Sequence, residues 1–189
     1  FKSMPLAFKE VVPDKVKGKS EWELLNMSVE DVLKILATLT PEQIDEVKAH
    51  SSRSGKNIQK LGKFIVPYTK HSSWLKALDI SGVGLDQMIQ IPVKSDFRMD
   101  IDKLESTIKD LAAKKIPILG VVTVVGTTEE GQVDEVDRIV KFRKEMEKQG
   151  VYFYLHVDAA YGGYGRALFK DENGNFVEYD QLADLLKKH

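Results

Sequence analysis

The sequence predicts an α/β fold: a mainly parallel sheet with flanking helices. Two observations predict it. From Gly62 to about Val157, short apolar runs alternate with amphipathic stretches of helical length. One of those runs, Ile116 to Val125, is apolar apart from Gly120 and Thr123, as a strand buried on both faces should be. Four strands separated by three helices imply βαβ units, with right-handed crossovers.

The elements follow in chain order. Residues 1–61 read as a helical segment with polar connections that leads into the sheet domain. Ser28-Val29-Glu30-Asp31 resembles a capping box, and Val29, Val32, Leu36 and Leu39 follow at helical spacing. Thr40-Pro41-Glu42-Gln43 is a second start signal, with threonine as cap and proline at the first helical position. His50 to Lys56 is polar and reads as a loop. Residues 62–189 read as a partial α/β domain. Phe64-Ile65-Val66 is its first strand, and Ser72 caps a helix through Leu78. Met88 to Val93 is the second strand. Ile101, Leu104, Ile108 and Leu111 form a helix stripe ending near Lys115. After the strand Ile116–Val125, Asp134 caps a helix carrying Val136, Ile139, Val140 and Met146, stopped by Gly150. Val151 to Val157 is the fourth strand. A loop around Asn173-Gly174 precedes a helix from about Asp180.

Composition narrows the function classes. The 189 residues are 42% hydrophobic and 30% charged, ordinary for a globular chain, with a formal net charge of -1. No bulk field attracts nucleic acid or an anionic membrane. With no cysteine there is no disulfide, thiolate metal site or cysteine nucleophile. No apolar run is long enough to span a bilayer, no signal peptide is visible, and a cytoplasmic location is expected. The opening Met4-Pro5-Leu6-Ala7-Phe8 reads as the interior of a longer chain.

In an open α/β sheet, ligands sit beyond the carboxyl ends of the strands. That rule selects Tyr68, Lys70 and His71 after the first strand, and Ser95, Asp96 and Arg98 after the second. It selects Gly126-Thr127-Thr128 after the third, and Asp158, Ala159, Ala160 and Tyr161 after the fourth. The helix after Ser72 turns its positive end to the same edge. By position alone each has a structural reading too. Asp158 can cap a turn, His71 can cap the next helix, and the threonines can be plain turn residues. His156 reads as a hydrogen-bonded core histidine, and Arg98 as a surface residue. The four histidines are scattered and make no metal site. No phosphate-cradling glycine–lysine run, dinucleotide fingerprint or nucleophile elbow occurs, which disfavours a nucleotide-binding module.

The combination is more specific than its parts. His156-Val157-Asp158-Ala159-Ala160-Tyr161-Gly162-Gly163, Lys70-His71-Ser72-Ser73 with Lys76-Ala77, and Gly126-Thr127-Thr128 with Gly131 and Asp134 resemble three motifs of the group II pyridoxal-phosphate decarboxylases. All three stand in that family's order, between about Gly62 and Arg166. Asp96-Phe97-Arg98-Met99-Asp100-Ile101, Leu24-Leu25-Asn26-Met27 and Tyr161-Gly162-Gly163-Tyr164-Gly165-Arg166 are similar to the bacterial tyrosine decarboxylase branch.

The resemblance implies the large domain of a fold type I enzyme that uses pyridoxal 5'-phosphate and works as a homodimer. It implies decarboxylation of a small amino acid, L-tyrosine to tyramine and CO2, with glutamate or another aromatic amino acid as the alternative. It implies that Asp158 faces the cofactor's ring nitrogen and that His71 stacks on the ring and can contact the substrate carboxylate. By the same match Ala160 lies under the ring, and Thr128, or Thr127, hydrogen-bonds nearby. The family's cofactor-bearing lysine lies in an Asp-Pro-His-Lys-like motif, and no such motif follows Asp158 here. Its glycine- and serine-rich phosphate loop is not found either. The expectation is therefore a fragment that is inactive alone and has unpaired sheet edges. The other possibility is a truncated, non-catalytic homologue acting as a binding subunit.

Overall fold

The computed structural model describes residues 4–51, 58–178 and 181–182. In the first part, local caps set the helix starts. Ser20 Oγ accepts from the Glu23 N–H, and the Glu23 carboxylate accepts from the Ser20 N–H at 2.7 Å, which opens α2 (Glu21–Leu25). Thr40 and Gln43 do the same for α4 (Pro41–His50), with Pro41 at its first position. The expected box at Ser28 is only half formed. Ser28 Oγ accepts from the Asp31 N–H at 3.1 Å and opens α3 (Val29–Leu36), but the Asp31 carboxylate accepts from the Ser28 hydroxyl. Aspartate is one methylene shorter than the glutamate of a full box, which reaches back to the cap amide. With α1 (Met4–Val11), these helices close a core of their own around Phe8, Leu24, Val32 and Val47.

The second part is a four-stranded parallel sheet in the order β2-β1-β3-β4, comprising β1 (Lys63–Pro67), β2 (Met88–Ile91), β3 (Ile118–Val124) and β4 (Tyr154–Asp158). The strands are shorter than the apolar runs that predict them. Pro92 and Pro117 carry no N–H to continue a ladder. Val151 and Phe153 are buried in the core before β4 begins. On one face, α6 (Ile101–Ala113) and α7 (Val136–Lys148) bury Leu104, Ile108, Ile139 and Phe142 against Ile65 and Val121. Burial of each such side chain is worth roughly 1.5–3 kcal/mol. On the other face, α5 (Ser73–Ile80) sets Trp74 against Phe64 and His156. The chain therefore runs from β1 outward to β2, then back past β1 to β3 and β4. The connections after β1 and β3 leave in opposite directions, and a crevice opens between them.

Asp134 does not cap α7 as the sequence suggests. Glu135 occupies the cap position without a side-chain bond, while Asp134 is buried and accepts from Met99 N–H (2.8 Å), Val124 N–H (2.8 Å) and Thr123 Oγ1 (3.2 Å). It ties the middle strand to the segment entering α6. Arg138 of α7 pairs with Asp102 and Glu105 of α6, and this holds the Asp102 carboxyl below the usual carboxylate range. The turn around Asn173-Gly174 forms on Asp171, whose Oδ1 accepts from the Asn173 and Asn175 amides. The expected loop after His50, beyond Ser51, and nearly all of the helix expected from about Asp180 lie outside the described residues.

Candidate functional site

The carboxyl ends of β1, β3 and β4 enclose a cavity of about 200 Å³ at that crevice. Thr69, His71 and Ser73 line it from the connection after β1; Val124, Gly126 and Thr128 from β3; and Asp158, Ala160 and Tyr161 from β4.

Strand alternation aims the acid. Tyr154, His156 and Asp158 share one face of β4, the face opposite α6 and α7. Asp158 is half-buried, and its Oδ2 accepts from the indole N–H of Trp74 at 2.9 Å. Its Oδ1 accepts no bond from the described residues. His71 precedes α5, where Ser72 makes no side-chain cap bond. The imidazole does the capping instead: Nδ1 accepts from the Ser73 N–H at 3.2 Å and lies 2.9 Å from the Ser73 hydroxyl. An amide N–H can only donate, so Nδ1 carries no proton and Nε2 carries the ring's proton. The capping reading of His71 and its place on the cavity wall therefore hold together.

The two threonines separate. Thr128 is exposed on the cavity wall. Thr127 is buried in a tight turn, where its Oγ1 accepts from the Gln132 N–H at 2.9 Å and its own N–H donates to the Gln132 carbonyl at 3.1 Å. Two glycines let the loops touch. A Cβ on Gly162 would stand 2.3 Å from the Val125 carbonyl oxygen, and one on Gly126, whose φ is +86°, would stand 2.8 Å from the Gly162 nitrogen. Only glycine serves at both positions.

Several sequence-selected residues lie elsewhere. Tyr68 is exposed. Lys70 donates to Gln90 Oε1 at 2.6 Å on the β2 side, and partial burial lowers its pKa. Asp96 and Arg98 pair with each other at 3.8 Å, and neither these two nor Ser95 lines the cavity. The His156 side chain makes no hydrogen bond among the described residues; its ring stands edge-on to Trp74, with centroids 5.0 Å apart. Conversely, sequence reasoning passed over Thr69 and Trp74, and it quoted Ser73 within a motif without giving it a role. Thr69 Oγ1 is a buried hydroxyl on the cavity wall with no partner among the described residues. Its proximity to the first strand end was the available signal. The Trp74 contact spans 84 positions and left no local trace.

A larger groove of about 550 Å³ lies at the amino ends of the strands, between Val29 and Val32 on one side and Phe64 and Tyr154 on the other. It is mainly apolar. Its charged lining residues, Arg143 and Glu147, pair with each other at 3.2 Å. The convergent polar groups are in the smaller cavity.

Comparison with known proteins identifies the family. A family model for the pyridoxal-dependent decarboxylase conserved domain matches residues 26–169. The chain is 65% identical over 189 residues to an L-tyrosine decarboxylase of Enterococcus faecium, covering all of this chain and 31% of that protein. It is 59% identical over 182 residues to one of Levilactobacillus brevis, covering 96% of this chain and 29% of that protein. It thus spans about 30% of the length of these curated relatives. Among solved structures, Oryza sativa TDC with PLP and tryptamine matches with a TM-score of 0.50 at 25% identity, over 59% of this chain and 23% of that one. The glutamate decarboxylase domain of a Vibrio parahaemolyticus diaminobutyrate-pyruvate transaminase and L-2,4-diaminobutyrate decarboxylase matches with a TM-score of 0.54 at 21% identity, over 90% of this chain and 37% of that one. The second match bears on the fold alone.

Proposed function

This chain belongs to the pyridoxal-dependent decarboxylase family, and on that premise we propose that its residues form part of an enzyme converting L-tyrosine to tyramine and CO2. The observation that carries the substrate is the 65% identity, along the whole chain, to the Enterococcus faecium L-tyrosine decarboxylase.

The cavity fits pyridoxal phosphate on two counts: Asp158 offers an unbonded carboxylate oxygen, and Thr69 offers a hydroxyl unpartnered among the described residues. When bound, the cofactor supplies a protonated pyridine ring that accepts the electron pair left by departing CO2. Asp158 keeps the proton on the ring nitrogen, since a nearby opposite charge favours the charged form. His71 would lay its imidazole against the ring, leaving Nε2–H free to donate to the substrate carboxylate. Ala160 is small enough to sit under the ring. Thr128 would donate a hydrogen bond from the cavity wall, while Thr127 supports the turn that presents it.

The 189 residues alone are inactive on this reading. No lysine lines the cavity among the described residues, and its volume falls below the roughly 300–1,000 Å³ of a complete small-molecule site. The whole enzyme is a homodimer in the cytoplasm. The test is the whole protein purified with pyridoxal phosphate and offered L-tyrosine, L-phenylalanine, dopa and L-glutamate. Tyramine as the dominant product supports the reading. Preferential turnover of glutamate, or a protein with no cofactor absorbance band, overturns it.

A further inference from the structure

Asp158 has one side-chain partner among the described residues, and that partner is itself wedged in place. The indole N–H of Trp74 donates to Oδ2 at 2.9 Å in a half-buried setting. The Trp74 ring lies 5.4 Å from Phe64 at 31° and 5.0 Å from His156 at 69°, measured between centroids. Phe64 and His156 belong to β1 and β4, so the indole spans the middle strand. Gly120 of β3 makes room beneath: a Cβ there would come within 3.0 Å of Phe64 Cε2. Trp74 also lies in the first turn of the helix that His71 caps, so one short segment holds both the imidazole on the cavity wall and the group that grips the acid.

A strand-end carboxylate rotates easily about its last torsion, which is broad and roughly two-fold. An unrestrained Asp158 would present either oxygen over a wide arc. A hydrogen bond to an ionised acceptor is stronger than a neutral one and has directional preference. We propose that Trp74 is a positioning residue that pins Oδ2 of Asp158 and so reserves Oδ1 for the ring nitrogen of pyridoxal phosphate. This rests on the cofactor reading of the same cavity. Trp74 touches neither substrate nor cofactor in this role and acts through Asp158.

The experiment uses the whole cofactor-loaded protein. Trp74→Phe keeps an aromatic ring between Phe64 and His156 and removes the donor together with one ring of the indole. The expected result is a roughly tenfold weaker cofactor dissociation constant and a kcat lower by about the same factor. KM for L-tyrosine should change by less than about threefold, because the substrate makes no contact with Trp74. The circular dichroism induced in the cofactor's absorption band, which reports ring orientation, should fall below about half its wild-type amplitude, while the thermal midpoint of the cofactor-free protein stays within a few degrees. In an Asp158→Asn background, Trp74→Phe should add little further loss of cofactor affinity, since both changes break one link.

A folded Trp74→Phe protein with wild-type affinity, kcat and induced dichroism overturns the proposal, as does an equal loss in the Asp158→Asn background. If Trp74→Phe does not fold, a crystal structure of the loaded wild-type protein decides. Nε1 within about 3.2 Å of Oδ2 supports the proposal, and an Asp158 turned away from Trp74 sinks it. A wild-type protein that takes up no pyridoxal phosphate is a different failure, because it removes the cofactor reading itself.

Discussion

At the single-residue scale, Asp158 differs from every other carboxylate at the sheet edge in lining the cavity with one oxygen engaged and the other unbonded among the described residues. An amide cannot hold the ring-nitrogen proton by charge. Asp158→Asn in the whole protein should therefore lower kcat by about 10² or more and weaken cofactor binding. His71→Ala should cost about 10² in kcat, because on the proposed reading it removes both the imidazole that would stack on the cofactor and the Nε2 donor. Steady-state kinetics under saturating cofactor check both, and near-normal turnover in either variant sinks the role assigned to it. Both residues were legible in the sequence, since each stands at a strand end inside a family motif. Thr69 and Trp74 were not. One is a buried hydroxyl and the other is a contact between residues 84 positions apart.

At the scale of elements, the motif around the third strand divides into parts with different tasks. Thr128 faces the cavity, Thr127 braces the turn, and Asp134 is a buried tie rather than a helix cap. Asp134 gathers two backbone amides and the Thr123 hydroxyl in an apolar core, so replacing it leaves three donors without an acceptor. Asp134→Ala should destabilise the whole protein by about 2–4 kcal/mol, read from chemical denaturation, since each stranded buried donor carries a desolvation cost. A loss below about 0.5 kcal/mol, typical of a neutral surface substitution, would show that the tie does not matter. Sequence patterning could not separate cap from tie, because an acid just before an amphipathic stretch satisfies both descriptions.

At the scale of the whole molecule, the site sits where the strand order reverses, between the connections after β1 and β3. The cavity has an acid, an imidazole and hydroxyls, but no lysine among its described lining residues. The isolated 189-residue chain, incubated with pyridoxal phosphate and L-tyrosine, should therefore form no tyramine above the uncatalysed background while the whole protein does. Measurable turnover by the isolated chain would overturn that expectation. Its apolar groove beside Val29 and Val32 and the edge of β4, which pairs with no further strand among the described residues, are further surfaces that a larger assembly would need to cover.

The sequence by itself determined the order of strands and helices, the parallel sheet and the family. These rest on local periodicity, on terminators such as Gly150 and on motifs read along the chain. It also placed Asp158, His71 and Thr128 at strand ends, because a strand end is a one-dimensional feature. Only the tertiary structure decided which strand-end residues share a cavity. That depends on the order β2-β1-β3-β4, which sends the residues after β2 away from the site. It also decided that Asp134 turns inward, that His71 caps α5, and that Trp74 reaches across the sheet to Asp158. The physical reason is that direction and distance between side chains are set by packing across the sheet, where residues far apart in sequence become neighbours.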